Sequence, residues 1–295
     1  MANIGFIGLG NLGLTLASSL LAVGHVVSGY DLREMARSRL GTAGGRACSD
    51  IPSAIADADF VFTCLPDAAA VRSVWTDGPE NVRALKRSAI LVDCSVMGIE
   101  ETRSLAAALE TAGFTFLDAP VLGDARDARA RLITFAVGGS LAAFSEAKPI
   151  LEDMGERVVY VGKSGLGQAA VLCTQLMMVV NLLGAAEAFA LGERLGLGAE
   201  KLFEIASLSS GASWSLVERC PQSGLVPDAP SNNMYQGGLA AGMILDRMRL
   251  LEAAGQKADA RTPLTTQAVD LYAEFKDTKD PRLDFSAIIQ LLRRR

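Results

Sequence analysis

Three glycines at positions 8, 10 and 13, in the run GFIGLGNLG, carry the GxGxxG spacing. That spacing lets a backbone turn tightly and come close to a pyrophosphate, and the unpaired N–H groups of the helix that follows would stabilise the phosphate charge. Asp31 closes a second apolar run 18 residues after Gly13. A carboxylate there suits the ribose hydroxyls of NAD and opposes the 2′-phosphate of NADP, a preference that Arg33, two residues on, would soften. The spacing therefore predicts a dinucleotide site, with Gly8, Leu9, Gly10, Asn11, Leu12 and Gly13 at the turn and Asp31, Leu32 and Arg33 at the ribose. NAD is the expected cofactor, with NADP also possible.

A hydride carrier needs a partner that moves a proton. The natural place is the stretch GQAAVLCTQ (167–175), which follows a strand-like RVVYVG. Val171 and Gln175 are four residues apart and so share a helix face, yet neither is an acid. Asp124, Asp246 and Tyr235 are the alternative proton donors, acting directly or through water. His25, the single histidine, lies between the first helix and the second strand, far along the chain from these residues, and is expected to pack.

The elements that must position these groups follow from periodicity. Apolar runs at 4–8, 26–30, 60–65, 89–94 and 114–119 read as strands, and 132–139 and 157–162 extend the same sheet. Near-continuous apolar strands between helical segments imply a parallel sheet covered on both faces. From Gly167 the pattern is helical: one helix to about Leu195, then others near 199–208, 212–219, 238–255, 264–276 and 284–292, with a Pro/Asn-rich loop at 221–235. The fold class expected is α/β: a Rossmann-type doubly wound parallel sheet over 1–163, then an all-α domain over 164–295 entered by a long interdomain helix.

Bulk properties narrow the partners. The chain of 295 residues is half hydrophobic and has a net charge of −5, which argues against nucleic acid or an anionic membrane surface. The terminal RRR reads as a solvated helix end. Five scattered cysteines without a CxxC suggest reduced thiols in a cytoplasmic protein and no metal site. The start, MANIGFIG, is strand-like at once, so no signal peptide is expected. Ser164 to Ala186 is uncharged and long enough to span a membrane, but Gln168, Thr174, Gln175 and Asn181 interrupt it and Glu187 follows. A helix buried between domains is the better reading.

These residues, with GFIGLGNLG, TCLPDAAAV (63–71), LVDCS (91–95), FLDAPVLG (116–123), GLGQAA (165–170), SSGASW (209–214), VPDAPSNNMYQGG (226–238) and LDFSAIIQLL (283–292), resemble the β-hydroxyacid dehydrogenases, and among them the 3-hydroxyisobutyrate dehydrogenases. The resemblance covers essentially the whole chain. It implies a nicotinamide cofactor bordered by Leu65, Pro66, Ser95 and Val96, a small 3-hydroxy acid or aldehyde acid as substrate, and a homodimer or homotetramer built through the helical domain. It also implies a catalytic lysine on the long helix, an asparagine four residues later, a Ser-Gly-Gly loop and a second lysine for the substrate carboxylate.

This sequence departs from that pattern at each of those positions. Val171 stands at the lysine and Gln175 at the asparagine. Leu122, Gly123 and Asp124 fill the loop, and Val96 replaces a threonine. Asp246, or Leu245 with a gap, falls at the second lysine. Trp214 matches a position near the substrate. Each of the charge changes makes the site more negative, unless Arg126, Arg129 or Arg131 compensates. Three readings follow: an oxidoreductase with an atypical active site, an imine-reductase-like enzyme whose iminium substrate brings its own proton, and a cofactor-binding homologue without turnover.

Overall fold

A computed structural model describes residues 1–123 and 125–293. Asp124, Arg294, Arg295 and the side chains at 125 and 126 lie outside the described residues, so the readings of Asp124, Arg126 and the terminal RRR rest on the sequence. The chain divides into two compact units, Met1–Val171 and Leu172–Arg295, and the division falls inside the long helix.

The first unit runs β1 (Asn3–Ile7), α1 (Asn11–Ala22), β2 (Val26–Tyr30), α2 (Glu34–Thr42), β3 (Arg46–Ala47), α3 (Ile51–Ile55), β4 (Phe60–Thr63), α4 (Ala68–Trp75), α5 (Pro79–Ala84), β5 (Ile90–Asp93) and α6 (Ile99–Thr111). It continues with β6 (Thr115–Asp118), β7 (Val121–Leu122), α7 (Ala125–Arg129), β8 (Thr134–Gly139), α8 (Leu141–Glu152), β9 (Arg157–Gly162) and the start of α9 (Leu166–Arg194). The strand order is β3-β2-β1-β4-β5-β6-β8-β7, with β9 paired to β8. The first six strands are parallel, as the apolar runs predict. The expectation of an all-parallel sheet needs one correction, because β8 runs antiparallel to β6 and to β7. Eleven residues, 123–133, link β7 to β8, fewer than a crossover to a parallel strand usually takes, so the chain reverses direction there.

Period-two alternation decides which side chains cover each face of the sheet. Phe6, Phe62, Val92 and Leu117 meet α1 and α8 through Leu16, Leu20, Ala147 and Leu151. Ile7, Val61, Leu91 and Phe116 meet α3, α4 and α6 through Ile55, Val74 and Leu105. Phe6 and Phe62 stack at 5.9 Å between neighbouring strands. Covering both faces explains why these strands read as unbroken apolar runs. The order β2-β1-β4-β5 brings the loops after four parallel strands to one edge of the sheet, where such folds place a ligand.

The second unit holds the remainder of α9, α10 (Ala199–Ser207), α11 (Trp214–Glu218), α12 (Ala241–Lys257), α13 (Pro263–Thr278) and α14 (Ile289–Leu292). The loop at 221–235 contains a short 3-10 turn, Pro230–Asn233, and the expected helix at 284–292 is a 3-10 turn, Phe285–Ile288, running into α14. Buried Asp284 accepts from the backbone N–H groups of Leu239 and Ser286, which pins that turn and stops a regular helix from starting earlier. By length and hydropathy α9 could cross a membrane. Its Val179, Leu182, Ala186 and Phe189, on one helix face, instead join the core with Ile244, Leu245 and Met248 of α12.

His25 has a structural place. Its Nδ1 accepts from the Ala2 N–H at 3.1 Å, which leaves Nε2 as the donor to Asp153 at 2.9 Å, beyond the end of α8. The ring thus ties the chain start to the far end of that helix. His25→Ala is expected to cost about 1–2 kcal/mol, for two lost hydrogen bonds to half-buried partners, and to leave NADH affinity within about twofold. Urea denaturation and a fluorescence titration check the two parts.

Candidate functional site

The glycine turn has the features of a phosphate cradle. Gly8 sits at φ +92°, in the left-handed region, and a Cβ there would lie 2.3 Å from the Cys64 carbonyl oxygen. At Gly13 a Cβ would lie 2.0 Å from the Gly8 carbonyl oxygen, so α1 can pack against the turn only without a side chain. Gly10, in contrast, faces open space, with only an Arg33 nitrogen within 4 Å of the position a Cβ would take. It also stands at the start of α1 with no side-chain cap, so the first-turn N–H groups at Asn11, Leu12 and Gly13 have no capping oxygen. A cradle that a Cβ would fill, beside uncapped donors, fits a pyrophosphate.

Asp31 follows β2 and reaches back to this turn, where its Oδ2 accepts from the Leu9 N–H at 2.8 Å. Burial acts to raise its pKa. Hydrogen bonds from the Arg33 side chain and from the Arg33 and Leu9 backbone outweigh that and hold the carboxyl below its ordinary range. Leu32, beside it, is exposed.

The loops after β4 and β5 are joined by a buried network. Ser95 donates through Oγ to Asp93 at 2.7 Å and accepts the Leu65 N–H at 2.9 Å. Thr63 donates to the same Asp93 oxygen at 2.6 Å, while the other, Oδ2, is buried without a hydrogen-bond partner among the described residues. Asp118, opposite Asp93 in register on β6, accepts the Gly165 N–H at 2.8 Å and the Gln168 N–H at 3.2 Å. Gln168 then bridges back, donating to the Ser95 carbonyl at 2.8 Å and accepting the Met97 N–H at 3.1 Å. Leu65, Ser95 and half-buried Val96 are thereby held in register with the first turn of α9, three residues before Val171. Pro66 lies exposed beside Leu65.

Asp93, Asp118 and Gln168 were not among the residues singled out from sequence. The available signal was a carboxylate closing each of two apolar strands, in LVDCS and FLDAP. Nearby Cys64 is no nucleophile, because burial pushes its thiol up to about 12.

The remaining candidates are placed as follows. Val171 is fully buried on α9. Gln175 is buried one turn on, and its Oε1 has no hydrogen-bond partner among the described residues. Leu122 is half-buried, and exposed Gly123 turns at φ +127°. Trp214, 45% exposed, lies 5.1 Å from the buried Arg219 guanidinium.

Two proposed acids need correction. The Tyr235 hydroxyl donates to the Pro221 carbonyl at 3.0 Å, so its proton is engaged. Asp246 is 73% exposed and lies 4.0 Å from Arg249 on the next turn, an ordinary solvated carboxylate. Compensation by Arg131 also fails. It donates to the Glu152 carbonyl at 3.1 Å, and Arg129 is exposed.

The cation that stands out in the helical unit is Arg247, which sequence reasoning passed over. It lies at the edge of the buried stripe of α12, three residues from Ile244 and four from Leu251. It is half-buried, desolvation lowers its guanidinium to about 10, and it makes no ion pair or hydrogen bond among the described residues.

Comparison with known proteins agrees with this geometry. Residues 3–162 match the NAD binding domain of 6-phosphogluconate dehydrogenase, and residues 165–292 match the family described as NAD-binding of NADP-dependent 3-hydroxyisobutyrate dehydrogenase. The fold and glycine cradle therefore define an NAD(P)-dependent oxidoreductase. The chain belongs to the β-hydroxyacid dehydrogenase superfamily and is 3-hydroxyisobutyrate dehydrogenase-like. It is 35% identical to the 3-hydroxyisobutyrate dehydrogenase of Pseudomonas aeruginosa, over 99% of both chains. The solved Mycobacterium tuberculosis 3-hydroxyisobutyrate dehydrogenase with L-serine superposes with a TM-score of 0.93 at 35% identity, over 100% of both chains. An imine reductase from Myxococcus stipitatus shares the fold alone, with a TM-score of 0.68 at 16% identity over 99% of both chains.

Burial drives the Asp93 and Asp118 carboxyls up to about 6, from an ordinary value of 3.8. A carboxyl whose folded value is raised stabilises the fold below its unfolded value, and that contribution is lost as pH rises through the folded one. The penalty from these two groups should therefore grow between about pH 4 and 6. Asp93→Asn removes one of them, so the variant should gain on the order of 2 kcal/mol relative to the parent between pH 4.5 and 7.5. Urea denaturation of both proteins at the two pH values measures this, and parallel curves would contradict it.

Proposed function

We propose that the chain transfers hydride between NAD(P) and a small 3-hydroxy acid or the corresponding aldehyde acid, without an ammonium on α9 to exchange the proton. When bound, the nicotinamide supplies or accepts the hydride. The turn at 8–13 and the start of α1 hold its pyrophosphate, Asp31 and Arg33 its ribose, and Leu65, Pro66, Ser95 and Val96 border it.

The cradle at Gly8, Gly10 and Gly13, with relatives named 3-hydroxyisobutyrate dehydrogenase along the whole chain, supports this reading. An iminium substrate would call for an acidic counter-ion, Asp124 or Asp246; Asp246 is exposed, and Asp124 lies outside the described residues. The unpartnered Gln175 amide supplies a further hydrogen bond to the substrate, though no proton as an acid. Proton exchange then passes through water, and turnover of ordinary 3-hydroxy acids is slow. Exposed Met177 and Leu191 on the strongly apolar α9 support self-association through the helical unit.

A screen of NAD(P)H consumption with matched panels of aldehyde acids and cyclic imines tests the reaction class. Activity on aldehyde acids alone is expected. Activity on imines alone would replace this reading, and silence on both with cofactor bound would leave a binding protein. Val171→Lys should raise kcat on the acid panel by about 10²-fold, the low end for a positioned acid.

A further inference from the structure

The segment between β5 and α6, residues 94–98, has no strand or helix of its own, so its buried backbone groups must find partners elsewhere. One side chain supplies two of them. Gln168 is fully buried; its Nε2 donates to the Ser95 carbonyl at 2.8 Å, and its Oε1 accepts the Met97 N–H at 3.1 Å. A carbonyl and an N–H two residues apart need a donor and an acceptor on one short planar group, which a side-chain amide offers.

The backbone of Gln168 is fixed to the sheet. Its N–H goes to Asp118 Oδ2 at 3.2 Å, beside the Gly165 N–H on Oδ1 at 2.8 Å. A Cβ at Gly167 would lie 2.5 Å from the Ala136 carbonyl oxygen and 2.6 Å from Asp118 Oδ2, so the first turn of α9 sits directly on β6 and β8. That turn is anchored, and the irregular segment is held from it.

We propose that Gln168 is a positioning residue for the cofactor: by fixing the backbone at 95–97 it presets Ser95 and Val96 for the nicotinamide end of the dinucleotide. Without the amide, cofactor binding would have to order this segment, and affinity would fall by the entropy of doing so. The inference rests on the proposed reading that Ser95 and Val96 border the nicotinamide.

Calorimetric titration with NADH and with ADP-ribose, which lacks the nicotinamide, separates positioning from general damage. Gln168→Met, similar in volume but without the amide, should weaken NADH by about tenfold and ADP-ribose by less than about twofold. Gln168→Glu adds a readout that packing alone would not move. An ionised carboxylate cannot donate to the Ser95 carbonyl, whereas the neutral acid can donate there and still accept the Met97 N–H. Its NADH affinity should therefore approach that of Gln168→Met at pH 8.5 and return to within about threefold of the parent at pH 5.5. Each variant is compared with the parent at the same pH, because burial places the Asp93 and Asp118 carboxyls at about 6. The other charged side chains around Gln168 are common to every variant: Lys163 in the preceding turn, Glu101, which accepts the Gly98 N–H at 3.3 Å, and Arg103, which packs at Gly165.

Three results overturn the inference: parent affinity for NADH in Gln168→Met, equal losses for the two nucleotides, or a Gln168→Glu protein that tracks either the parent or Gln168→Met at both pH values. Val96→Trp tests the reading beneath it. If Val96→Trp weakens NADH while Gln168→Met does not, the cofactor border stands and the positioning role falls. If Val96→Trp leaves NADH unchanged, both fall.

Discussion

Two carboxylates are buried at the ends of neighbouring strands, and the geometry of the first unit depends on how they are satisfied. Asp93 gathers Thr63 and Ser95, and Ser95 in turn holds the backbone of Leu65. Asp118 gathers the turn into α9, and the Gln168 amide closes the circuit to the segment at 95–97. Burying a carboxylate is costly unless donors replace its water. Here the donors lie at the end of β4, just after β5 and at the turn into α9, so the residues offsetting that cost are the residues being positioned. Incomplete compensation remains visible in an unpaired Asp93 oxygen and in both carboxyls lying near 6.

The two halves of such an enzyme's task respond differently to substitution. Phosphate binding here is performed by backbone N–H groups and by the absence of side chains, so it survives wherever the glycines survive. Proton exchange depends on one ionisable side chain in one place. Helix α9 keeps its anchored start, yet it carries an aliphatic side chain at 171 and an amide at 175. The superfamily scaffold and its glycine cradle are present in this chain. In α12, Asp246 faces water while its neighbour Arg247 is half-buried at the edge of the core.

Much of this was legible in the amino-acid order because it depends on short-range pattern. Apolar runs located the strands to within two residues at most ends, and glycine spacing located the phosphate turn, since both depend on neighbours along the chain. The antiparallel β8 was not legible, because strand direction depends on which partner a strand meets and not on its own alternation. Nor could α12 be read closely enough. Adjacent residues on a helix point about 100° apart, so one position separates solvated Asp246 from half-buried Arg247.

By itself the sequence determined the fold class, the glycine cradle and the absence of an ionisable side chain at 171, since each is a matter of residue type at a fixed spacing. Only the tertiary structure decided what each charge meets. Arg33 closes on Asp31, Arg131 on a backbone carbonyl, His25 on Asp153, and Arg247 on no protein group among those described. The reason is physical: the effect of a charge is set by distance and desolvation, and those are properties of packing that residue order does not contain.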